Sequence, residues 1–148
     1  MNIQDALNIV TNLVTILGLP ILIGTIVLLI RQLRVQAYQA IYESALSMDQ
    51  FLIEHSDLRK YLYGRKALPD NDPDELERVS GAADMLLTFF EHVLGQKNSM
   101  SKAKWIGWEN YISDVYKTSP AVQYFLNKKE HWYSEELKEL LFRGRGAA

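Results

Sequence analysis

From Ala6 to Ile30 the chain reads ALNIVTNLVTILGLPILIGTIVLLI, a run without Asp, Glu, Lys, Arg or His. Its polar side chains are Asn8, Asn12, Thr11, Thr15 and Thr25. About 20 mostly apolar residues cross a hydrocarbon core of roughly 30 Å, so the run predicts one transmembrane helix. Beyond Ile30 the pattern changes from uniform to periodic. Arg34, Tyr38, Ile41, Ala45, Met48 and Leu52 recur at spacings of four and three, the seam of a helix that packs on one side. No Gly or Pro lies between Arg31 and His55. The span should therefore continue into this packing helix as one element from about residue 6 to 55, with Pro20 as its expected bend.

The rest of the chain reads as a succession of capped helices. Ser56 is placed to cap a short helix, Asp57 to Tyr63, that Gly64 would end. Pro69, Asn71 and Pro73 mark a loop. Asp72, Pro73 and Glu75 then occupy the N-cap, N1 and N3 positions of a helix expected to run to Leu94. Leu76, Val79, Ala83, Leu86, Leu87, Phe90 and Leu94 share its apolar face, and Gly95 should terminate it. Ser101 opens a helix carrying Trp105, Trp108, Ile112 and Val115 at helical spacing, and Ser119-Pro120 opens another with Val122, Phe125 and Leu126 inward. A last helix follows Ser134, with Glu135 and Glu136 in its first turn, where the helix dipole favours anions. No alternating strand pattern occurs. The predicted class is all-α, with residues 1–30 as a transmembrane anchor, 31–142 as a bundle of about five helices, and 143–148 as a disordered tail.

Charge sharpens this division. All 16 Lys and Arg of the 148 residues follow Ile30, as do 17 of the 18 acids, Asp5 being the exception. The helical domain is thus near neutral, which argues against a general nucleic-acid binder. The N-terminus lacks the basic n-region of a secretory signal, and its apolar run exceeds the usual h-region, so a retained anchor is expected. Arg31 and Arg34 follow the span and no basic residue precedes it. The positive-inside rule then places the N-terminus outside and the C-terminal domain in the cytoplasm.

Catalytic and metal motifs fail one by one. The run Asp70 to Glu75 has acids at alternate positions, yet a calcium loop opening at Asp70 needs Gly at its sixth place and Glu at its twelfth, where Glu75 and Gly81 stand. All three histidines follow a glutamate, as Glu54-His55, Glu91-His92 and Glu130-His131. Neighbours on a helix diverge by about 100°, so each pair is poorly placed to chelate one ion, and each histidine lies near an expected helix C-terminus. The Arg-before-His motif of HEPN-type ribonucleases is absent, since Gln50, Leu87 and Leu126 precede the histidines by five positions. No serine lies in a nucleophile elbow, and no glycine-rich phosphate loop occurs. With no cysteine either, the chain is read as a non-enzyme without cofactor or metal.

Two candidate surfaces remain. Asn8, Asn12 and Thr15 are spaced by four and three, so they form a polar stripe on the span, while Gly18 and Gly24 permit close helix contact; together they form a candidate oligomer or pore face. Among the aromatic residues of the C-terminal third, Trp105 and Trp108 read as core. Trp132 and Tyr133, between two helices, read as exposed anchors for a partner.

The pieces FLIEHSDLRKYLYG, LLTFFEHVLGQ, WIGWENYISDVYKTSPAVQYFL and HWYSEEL lie between Phe51 and Leu137. In them the chain resembles small single-pass bacterial membrane proteins of unassigned function with a cytosolic helical domain. That resemblance implies a bacterial inner-membrane protein and names no activity. In layout alone the chain is similar to membrane accessory proteins of RNA-guided antiviral systems. The expected function is a membrane-anchored interaction or regulatory module whose partners are the bilayer and either another protein or copies of itself. A homo-oligomeric pore or accessory effector is the alternative, and a ligand sensor a third.

Overall fold

A computed structural model describes residues 2–143; the expected tail beyond Arg143, with Arg145, lies outside the described residues. Six α-helices and two short 3-10 turns occur among them, and no strand. The helices are α1 (Ile3–Glu54), α2 (Ser56–Leu62), α3 (Pro73–Gly95), α4 (Lys102–Thr118), α5 (Pro120–Lys128) and α6 (Glu135–Phe142). The class is all-α with a helical bundle. The chain divides between Ala37 and Tyr38 into two compact units.

In the first unit, α1 is long and apolar enough to cross a membrane. Every described side chain from Asn2 to Gln36 is exposed. Pro20 sits inside α1 without ending it. A proline in a helix interior removes one backbone donor, but no breaker neighbours it and the flanking residues keep the helix going.

The second unit holds the core. Helix α3 is central and packs against α2, α5 and α6, while α4 packs against α5 and α6. Val79, Ala83, Leu86, Leu87, Phe90 and Leu94 of its expected face are all buried, and Leu76 is half-buried. Ile41, Met48 and Leu52 bring the second half of α1 to the same core.

Local capping chemistry sets most boundaries. The side chains of Asp72, Ser101, Ser119 and Ser134 accept the backbone N–H groups of Glu75, Lys104, Val122 and Leu137, all three residues on, as the sequence predicts. Ser119 is fully buried, and its Oγ also donates to the Tyr61 carbonyl at 3.1 Å, so one hydroxyl caps α5 and ties it to α2.

The start and end of α2 differ from expectation. Ser56 is the first helical residue rather than the cap; His55 takes that place without a side-chain hydrogen bond. One residue separates α1 from α2, and the His55 N–H still closes on the Phe51 carbonyl at 2.9 Å, so the junction is a break in register rather than a capped start. At the other end Gly64 does not adopt the left-handed conformation; Arg65 does, at φ 57°. Glycine is needed at 64 for another reason, because a Cβ there would stand 2.7 Å from the Lys60 carbonyl oxygen. That carbonyl accepts both the Gly64 and the Lys66 N–H.

Candidate functional site

The candidate face on the span lies wholly in the first unit. Asn8, Asn12 and Thr15 are exposed, and a Cβ at Gly18 or Gly24 would meet nothing within 4 Å. The Thr11, Thr15 and Thr25 hydroxyls each donate to the carbonyl one turn back, at 2.9 Å. These threonines thus satisfy themselves inside the helix. Among the described residues, the Asn8 and Asn12 amides of the stripe make no such bond.

The histidines do not converge. His55 stands at the junction between α1 and α2, while His92 and His131 are exposed in the last turn of α3 and in the 3-10 turn Glu130–Trp132. Among the described residues no three His, Asp or Glu side chains come together around a point that could hold an ion.

Of the two residues expected as exposed anchors, one is. Trp132 is 56% exposed, with the Lys129 ammonium 4.3 Å above its ring and Phe125 edge-on beneath. Tyr133 corrects its half of the expectation. It is buried, and its hydroxyl donates to Asp84 Oδ1 at 2.6 Å across 49 residues of sequence. A buried phenol needs such a partner, and Asp84 on α3 supplies it. Trp105 and Trp108 are half-buried and pack against the core, with Trp108 edge-on to Phe89.

Two features were not visible in the sequence. The hydroxyls of Tyr63 and Tyr111 meet at 2.7 Å, pairing the end of α2 with the middle of α4. The second is a trough between α1 and α3 within the bundle. Its larger part, about 540 Å³, is lined on the α1 side by Ala40, Glu43, Ser44, Ser47, Met48 and Phe51. Met85, Thr88, Phe89 and His92 of α3 form its other wall. A shallower extension shares Phe51 and Met85 and runs on to Leu58 and Gly81. Small side chains on α1 leave the space, and soft Met and Phe side chains floor it. Its volume is that of a small-ligand site, but no cluster of polar groups converges inside it; Glu43 and His92 stand at one end.

The tyrosines give a pH prediction. Burial raises the pKa of Tyr63, and its contact with Tyr111 adds to the effect. Burial likewise raises Tyr111 and Tyr133, the latter reinforced by the Asp84 bond. The fold therefore holds these phenols neutral. The stability they confer is complete below about pH 10, the free tyrosine value, and is lost as pH rises above it, when the unfolded chain ionises first. In an alkaline titration followed by phenolate absorbance, these three of the eight tyrosines should ionise above the free-tyrosine range, together with the loss of helical circular dichroism.

No protein-family model, curated protein or solved structure matches this chain.

Proposed function

We propose that this protein is a single-pass component of a bacterial cytoplasmic membrane whose helical domain is a non-enzymatic interaction module. The observation that carries the reading is the exposed apolar surface of the first unit. Ile16, Ile21, Ile23 and Leu28 are 67%, 68%, 54% and 65% exposed on a helix with no ionisable side chain from Leu7 to Ile30. Such a surface is far larger than water-soluble monomers present, and hydrocarbon is its natural solvent. Arg31 and Arg34 follow the span, which supports a cytoplasmic second unit. The bundle contributes an exposed Trp132, a side chain suited to contact with a partner.

A photo-crosslinking residue in place of Trp132, in the full chain in bacterial membranes, should give a discrete adduct. Trp132 protrudes while its neighbours Tyr133 and Phe125 are buried, which makes it an aromatic anchor of the kind partner surfaces use. Absence of any adduct from membrane-bound chains would remove Trp132 as a contact. A second reading, a homo-oligomeric pore or accessory effector, is favoured by Asn8 and Asn12, whose exposed amides would need an aqueous or interfacial setting. It requires several copies, and the oligomeric state tests it.

A further inference from the structure

The part of α1 that belongs to the bundle, residues 38–54, has four distinct faces. At roughly 100° per residue, take the buried Ile41, Met48 and Leu52 as the reference direction. Tyr42, Leu46 and Ile53 then lie about 120° to one side. Ala40, Ser44, Ser47 and Phe51, the α1 wall of the trough, lie about 90° to the other. Gln39, Glu43, Gln50 and Glu54 point away from the core and are exposed.

The first flank is a row of large apolar knobs with no cover, 51%, 66% and 71% exposed at Tyr42, Leu46 and Ile53. The second flank is a hollow of small and soft side chains. Knobs and hollow occupy the same stretch of the helix: Tyr42 is level with Ala40 and Ser44, Leu46 with Ser44 and Ser47, Ile53 with Phe51.

We propose that a second copy of this chain fills the trough with its Tyr42, Leu46 and Ile53. The inference rests on the membrane reading above, because copies held by one span in one bilayer share orientation and, under cyclic symmetry about the membrane normal, equal height. Charge supports the match. Lys104 Nζ lies 3.5 Å from the centre of the Tyr38 ring, and the Tyr38 hydroxyl donates to that of Tyr42 at 3.1 Å, so a cation stands at the head of the knob row. Glu43 stands at the corresponding end of the hollow and makes no ion pair among the described residues. The docked copies would bring opposite charges together.

Pairing the knob row with itself is disfavoured, since Asp49 borders that row and two copies would set like carboxylates at one level. Knobs on one flank and a hollow on the other make the contact heterologous, and a heterologous contact under rotation closes into a ring. The uncovered face, Gln39, Gln50 and Glu54, would line the inside of that ring. Its polar composition suits water.

The chain has no cysteine, so the test has no background. Two differently tagged full-length chains, one Leu46→Cys and one Ser47→Cys, are co-expressed, and membranes are treated with a short bis-maleimide. Both positions are exposed, so neither substitution disturbs the core. The mixed adduct should form, each cysteine alone should give none, and Ile53→Glu added to the first chain, at a position 71% exposed, should lose the adduct and lower the mass in mild detergent. An adduct between two chains that both carry Leu46→Cys would overturn the heterologous contact. No adduct from chains that fractionate with membranes would overturn this interface and leave the anchor standing, whereas recovery of both chains in the soluble fraction would overturn the anchor and the proposal with it.

Discussion

Phe90→Ala is expected to lower the stability of the bundle by about 3–5 kcal/mol, the range for truncating a buried phenylalanine. The ring is fully buried on the central helix. It stands edge-on to Tyr111 at 6.0 Å and tilted against Phe89 at 6.2 Å, so it joins α3 to α4. Truncation would forfeit the transfer free energy of the ring and leave a cavity whose walls, anchored on α2, α5 and α6, have little freedom to collapse. A domain of this size is stable by about 5–15 kcal/mol, so the loss would remove a large share of the total. Trp105, Trp108 and Trp132 all lie in the bundle. Tryptophan fluorescence in a urea titration therefore reads this unit without the span. The midpoint should fall steeply for Phe90→Ala, while Ile53→Ala, at a position 71% exposed, should stay within about 0.5 kcal/mol of the parent. Equal effects at the two positions would contradict the assignment of the core.

What the sequence made legible was what local chemistry decides. A serine or aspartate followed three residues later by a free N–H is a cap wherever it occurs, and Asp72, Ser101, Ser119 and Ser134 all behave so. The apolar face of α3 was legible for the same reason, since a helix of 23 residues repeats its period often enough to be unambiguous. Ser56 misled because the competing choice, carrying α1 to Glu54 and restarting one residue later, depends on how Leu52 and Leu58 both reach the core. Tyr133 misled because its burial depends on Asp84, distant in sequence and on another helix. The trough could not be read at all. Ala40, Ser44 and Ser47 are ordinary small residues until α3 sets Met85 and Phe89 opposite them. Likewise the exposure of Leu46 and Ile53 gains meaning only once the buried side of α1 is fixed by Ile41, Met48 and Leu52.

Removing residues 1–30 is expected to move the protein from the membrane fraction to the aqueous one with the bundle intact. The run from Ala6 to Ile30 carries sixteen Leu, Ile and Val residues. At roughly 0.3–0.6 kcal/mol each near a bilayer centre, they favour insertion by at most about 5–10 kcal/mol. Asn8, Asn12 and Pro20 subtract from this, but no ionisable side chain does. On the membrane reading proposed above, deleting the run would remove most of what favours insertion into lipid. The bundle has its own reasons to fold: among the described residues every buried core residue lies between Ile41 and Leu141, and the caps of α3 to α6 are internal to it. The fragment should be soluble, with cooperative unfolding and the same tryptophan emission as the bundle in the full chain. Its one liability is the knob row, because Tyr42, Leu46 and Ile53 remain uncovered and the bilayer no longer orients neighbouring copies. Concentration-dependent self-association that Leu46→Glu relieves would therefore accord with a folded fragment. An unfolded fragment, in water and in detergent alike, would show that the two units fold only together and that the division at Ala37 carries no independence.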